Sequence, residues 1–175
     1  MIWNCGGKTN RDRQYVSMIA ITMASNFQDT NHLKDVWILD SGSTIHVCND
    51  AKYFISFDRQ SDEHVYHGNT SSQIQAYGTV RLRITAPNGK KEWFVLKNVA
   101  YVPGFIINIV SYHLARKAGY WWNGKDDYLH DDQDLAVVQL HRQSNHWIIK
   151  HEKPRDQLSC PLISHEYQMR GTVLL

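Results

Sequence analysis

The sequence predicts an all-β domain with one short helix, and three observations carry that prediction. From Val36 onward, short apolar runs alternate with turn signals at close intervals, the spacing of an all-β chain. An Asn88-Gly89 pair sits between two alternating segments, and Asn-Gly favours the positive φ angles of a tight hairpin. Only one stretch carries both a helix start and a helix stop, Ser111 ahead of 112–118 with Gly119 behind it.

At 175 residues, 42% of them hydrophobic, the chain suits one domain with a core of its own. Composition divides it into a polar lead-in over 1–34, a patterned domain over 35–152 and an unpatterned tail over 153–175. The balance of 19 basic and 17 acidic residues, +2 overall, gives no field that would call for nucleic acid or an acidic membrane. Three cysteines, Cys5, Cys48 and Cys160, are too few and too widely spaced for a disulfide framework or a four-thiolate zinc site. The expectation is an intracellular, cytoplasmic protein. The apolar stretch 16–24 is far short of the ~20 residues a membrane helix needs.

The first patterned run, Val36-Trp37-Ile38-Leu39, reads as a strand buried on both faces, and it ends in Asp40-Ser41-Gly42-Ser43-Thr44. A carboxylate at the end of a buried strand is costly unless partners satisfy it, which makes Asp40 a candidate functional group. Ser41 and Thr44 offer hydroxyls, and Gly42 lets the backbone turn and a ligand approach closely. A second strand follows over 44–47, then an aromatic strand or loop cover over 53–57, a strand over 63–67 and a turn-rich bridge over 68–72. In 73–84, Val80, Leu82 and Ile84 alternate with Thr79, Arg81 and Arg83, a half-exposed strand returning through Asn88-Gly89 as 92–99. Pro103 ends that ladder. The apolar run 105–110 feeds the helix, and four short strands follow over 120–122, 127–130, 135–140 and 147–150.

Four segments in this order, Trp37-Ile38-Leu39-Asp40-Ser41-Gly42-Ser43-Thr44-x-His46, Ala76-x-Gly78-x-Val80, Asn98-Val99-x-Tyr101-Val102-Pro103-Gly104 and Asn108-Ile109-Val110-Ser111, resemble a retropepsin-like aspartic protease. They look most like the protease region of a copia-type (Pseudoviridae) LTR retrotransposon Gag-Pol polyprotein, and the resemblance covers about 36–120. It implies a closed β-barrel and peptide hydrolysis by activated water, without cofactor or metal. Asp40 would be catalytic, with Ser41, Gly42 and Ser43 supporting its loop. It implies a flap tip at Gln75, Ala76, Tyr77 and Gly78, with Gly68-Asn69 as the competing position. Two nearby carboxylates share a proton in such chemistry, and the chain has a single Asp-Ser-Gly, so the second carboxylate is expected from a second copy. The expected partners are that copy and a polyprotein peptide, with neither a membrane nor nucleic acid bound by this domain.

Several other readings compete. Asp40 could simply cap a buried turn, or the domain could be an inactive transposon remnant that binds peptide or serves as structure. The phosphate loop of actin-type ATPases has a similar Asp-x-Gly run, but that fold needs two large domains and several helices. His141, His146 and His151 stand at five-residue steps, which put neighbours on opposite faces of a strand, so convergence on zinc is not expected. Lys90, Lys91, Trp93, Trp121 and Trp122 could be drawn as a nucleic-acid surface, but tryptophan is more often core.

Overall fold

The computed structural model describes residues 15–16, 33–143 and 145–154. In chain order the strands are β1 (Tyr15–Val16), β2 (Trp37–Asp40), β3 (Val47–Cys48), β4 (Phe54–Gln60), β5 (His64–His67), β6 (Thr70–Gln73), β7 (Ala76–Thr85), β8 (Lys91–Tyr101) and β9 (Asn108–Ser111). Helix α1 (Tyr112–Lys117) follows, then β10 (Trp121–Asn123), β11 (Tyr128–His130), β12 (Ala136–Gln143) and β13 (His146–Ile149). A single 3-10 turn, Ala51–Tyr53, precedes β4. The all-β class with one short helix is the observed one, and the tail expected from 153 lies outside the described residues beyond Pro154.

The expected closed barrel is not formed. Ten strands hydrogen-bond in the open order β10-β11-β12-β13-β2-β9-β3-β8-β7-β4, and β1, β5 and β6 make a separate small sheet. The ladder stops at β10 on one side and at β4 on the other, and these two end strands do not pair. In between, β3 is the only ladder among the described residues that joins the β9 side to the β8 side, with Val47 paired to Ile109 on one edge and to Ala100 on the other. Across so narrow a joint the sheet bends, and its two wings close by packing instead of by pairing. Leu82, Phe94 and Leu96 from β7 and β8 share one apolar cluster with Leu129, Leu140 and Ile149 from the other wing. An isolated bridge, with Glu152 N–H donating to the Arg83 carbonyl at 2.8 Å, is the hydrogen-bonded contact at that seam.

A second cluster lies on the opposite face, where Val65 of β5 and Ile74 cover Ile38, Val47, Tyr77 and Ile109. Strand β2 therefore has an apolar layer on each side, as its unbroken apolar run requires. Strand β9 is inserted between β2 and β3, which are neighbours in sequence, and it runs parallel to β2 with Asp40 opposite Ser111.

Three local expectations differ in detail. The segment 44–47 pairs only from Val47, because Ser43 and His46 are engaged by Ser111 before the ladder begins. The turn-rich bridge contains strand β6, whose polar residues pair with β5 and hide it from any hydrophobic pattern. The return strand of the Asn-Gly hairpin extends to Tyr101. No helix among the described residues is long and apolar enough to cross a membrane.

Candidate functional site

The candidate site forms where β2 stops. Trp37 and Leu39 point into one cluster and Ile38 into the other, so the strand end is anchored from both faces. β9 flanks it in parallel and β13 flanks it antiparallel through Ile148 opposite Ile38. Asp40 is the last residue of this ladder and is half-buried. Its Oδ1 accepts the Gly42 N–H at 2.9 Å, while its buried Oδ2 has no hydrogen-bond partner among the described residues. Burial pushes the Asp40 carboxyl above the usual carboxylate range, against the smaller opposing pull of the Gly42 N–H and His146.

The loop beyond is fixed from beneath. Ser41 and Gly42 are exposed, whereas Ser43 is buried and its Oγ donates to the Ile45 carbonyl at 3.3 Å. Ser111 Oγ donates to the Ser43 carbonyl at 2.6 Å, and Ser111 N–H donates to His46 Nδ1 at 3.0 Å. Burial holds the His46 imidazole down at about 4, so the ring is neutral near pH 7. An accepting Nδ1 leaves its proton on Nε2. Ser111 Oγ also caps α1, accepting the Leu114 N–H at 3.3 Å. One residue thus ties the Asp40 loop to the helix.

Asn108, at the other end of β9, is fully buried and does the same for the strand entries. Its Oδ1 accepts the Asn49 N–H at 2.9 Å, and its Nδ2 donates to the carbonyls of Lys34 and Val36 at 2.7 and 3.2 Å. His46, Asn108 and Ser111 all fall in the segments that carry the family resemblance, but nothing in the sequence points to these clamping roles. The nearest signal is that Asn108 interrupts an apolar run just as Asp40 ends one.

Gln75 lies just before β7, and Ala76, Tyr77 and Gly78 lie within it, not at a hairpin tip. These three pair with β8 on one side and β4 on the other. Tyr77 is buried, its hydroxyl donates to Glu63 Oε2 at 2.7 Å and the Arg59 guanidinium lies 3.8 Å from its ring centre. A Cβ on Gly78 would run into the Ser56 carbonyl, so this glycine serves close strand packing. The turn at Gly68 and Asn69, between β5 and β6, is the hairpin tip in this region.

The remaining candidates are spread apart. His141 and His146 lie on β12 and β13, and His151 hydrogen-bonds the carbonyls of Asp35 and Glu152. Asp126 meets His130, Asp127 holds Arg142 and Trp147, and Asp131 orders its own loop through the N–H groups of Gln133 and Leu135. Trp121 stacks on His130 and Trp122 packs on Trp147, whereas Trp93 is 49% exposed.

Residues 37–120 match the family model described as Pol polyprotein, beta-barrel domain. Over this stretch, just under half of its length, the chain is similar to the β-barrel domain of Pol polyproteins. More particularly, the chain is similar to a Saccharomyces cerevisiae protein described as "Putative transposon Ty5-1 protein", with 34% identity over 76 residues. That alignment covers 43% of this chain and 46% of the yeast protein, so it spans less than half of either. No solved structure matches the chain.

Proposed function

We propose that this chain is the aspartic endopeptidase of a copia-type retrotransposon polyprotein, active as a homodimer to which each copy contributes one Asp40. The observation that carries the reading is the Asp40 carboxylate itself: it ends a strand anchored on both faces, one oxygen is held by Gly42 N–H, and the other is buried with no partner among the described residues. Two such groups meeting across a two-fold axis would share one proton. The ionised member takes a proton from water as it attacks the peptide carbonyl, and the protonated member donates to the carbonyl oxygen. Collapse of the tetrahedral adduct, with proton transfer to the amide nitrogen, then breaks the C–N bond. The raised pKa of Asp40 is in the direction this chemistry uses. Exposed Ser41 is available for a bond across the dimer, and the β5–β6 hairpin is the element suited to act as flap.

The test is cleavage of polyprotein peptides at about pH 4 to 6, with sedimentation run in parallel. Wild-type protein should cleave, Asp40→Asn should lose at least about a thousandfold of the rate, and a statine-like peptide should drive dimerisation. Equal behaviour of the two proteins, with monomer alone at high concentration, would establish the second reading, a non-catalytic β-domain. The tight packing of Tyr77 and Gly78 at the expected flap position is the observation that favours that alternative.

A further inference from the structure

Near-neutral net charge set nucleic acid aside in the sequence, yet the fold gathers cations along one track. Alternation in β7 sends Val80, Leu82 and Ile84 into the core, which turns Arg81 and Arg83 outward, opposite Val95 and Trp93 of β8. A groove of about 580 Å³ runs over them, bounded by Lys52 and Lys153. A second groove of about 300 Å³, bounded by Lys91 and Lys150, adjoins it through the shared residues Arg83 and Glu152. Six cationic side chains thus line the joined track against the single carboxylate of Glu152.

Some of these charges are already engaged. Lys52 and Lys153 reach Asp35, and Lys91 reaches Glu152. Arg81, Arg83 and Lys150 have no carboxylate partner among the described residues. The Arg81 and Arg83 guanidinium groups lie 4.3 and 4.9 Å from the centre of the half-exposed Trp93 ring. Leaving an indole and two unpaired guanidinium groups at the surface has no use for the core, and this combination suits a flexible polyanion carrying planar groups.

We propose that this joined groove binds single-stranded nucleic acid, its phosphates meeting Arg81, Arg83 and Lys150 and a base packing against the Arg–Trp93 layer. An acidic peptide fits less well. Its carboxylates would meet the cations, but it brings no regular series of planar groups for the Arg–Trp93 layer.

The test is fluorescence anisotropy of labelled oligo-U and oligo-dT of about 20 nucleotides at low salt, using the full chain. Binding should weaken with salt at a log–log slope of about −2, as expected for three phosphates neutralised on a single strand. Arg81→Gln with Arg83→Gln should weaken binding by about tenfold and flatten the slope, whereas Trp93→Ala should weaken it a few fold with the slope kept. Asp40→Asn should bind like wild type. Absence of binding by the wild-type chain at low salt overturns the proposal without reference to any variant's folding. Displacement by polyglutamate at equal charge also overturns it, in favour of an acidic peptide.

Discussion

Asp35 and Asp40 bracket the same apolar strand, and their surroundings drive them in opposite directions. Burial alone would raise both carboxyls. At Asp35, bonds from Lys52, Lys153 and Tyr53 outweigh burial and hold the group well below the usual carboxylate range. At Asp40 only the Gly42 N–H and the more distant His146 oppose it, and the carboxyl stays raised. The strand thus has one end where a carboxylate is consumed as a structural tie and another where it is kept under-satisfied. Depth and partners together separate the two: Asp40 is the more deeply buried and has fewer groups that favour its charge.

The largest expected effect concerns the neutral ring under the Asp40 loop. His46 sits at about 4 in the fold against 6.5 unfolded, so the unfolded chain binds the extra proton first as pH falls. Its contribution is complete above pH 6.5 and lost on the way down to about 4, amounting to about 3 kcal/mol. Urea unfolding across that window should show the loss, and His46→Asn, which can still accept the Ser111 N–H, should remove this part of the pH dependence.

Next in size is the opposite end. Asp35→Ala should cost about 2 kcal/mol near pH 7, since three partners lose one acceptor. The folded carboxyl is depressed, so its stabilisation is present above the unfolded value of about 3.9 and fades as pH falls below it. Wild-type and variant denaturation midpoints should converge in acid. The smallest effect has the reverse sign. Because the Asp40 carboxyl is raised in the fold, its ionisation works against folding as pH rises past the unfolded value. Asp40→Asn should therefore stabilise the isolated chain by about 1 kcal/mol near neutral pH. If Asp40→Asn destabilises instead, Asp40 is a tie like Asp35 and the contrast collapses.

Much of the fold could be read from local chemistry. The β7–β8 hairpin does close at Asn88-Gly89, but only Gly89 takes a positive φ. The turn runs from Ala86 to Gly89, whose N–H donates to the Ala86 carbonyl at 2.8 Å, with Pro87 and Asn88 at its centre and Asn88 Oδ1 accepting the Lys90 N–H. Ser111 and Gly119 bound the helix region. The four strands after the helix fall within a few residues of their expected places, since each is flanked by turn residues. Strand β6 was hidden because Thr70, Ser71, Ser72 and Gln73 pair without any apolar alternation. The open sheet was hidden because closure depends on whether the end strands β10 and β4 meet, a contact between segments distant in sequence. At the site, Asp40 stood out as a charge on an apolar strand, whereas the clamp through Ser111 and His46 joins residues far apart in sequence and leaves no periodic trace. The resemblance alone placed Gly78 at a flap tip, because a glycine letter is the same whether it turns a loop or admits a neighbouring strand.

The parallel pairing of β2 with β9 also sets a schedule for synthesis. Trp37–Asp40 leaves the ribosome long before Asn108–Ser111, and at about 5 to 20 residues per second the delay is roughly 4 to 14 s. During that interval the nascent strand has no β9 beside it, and neither Ser43 nor His46 can meet Ser111. The Asp40 loop therefore cannot take its final shape before Ser111 has emerged, and its aspartate waits on a strand made well after it.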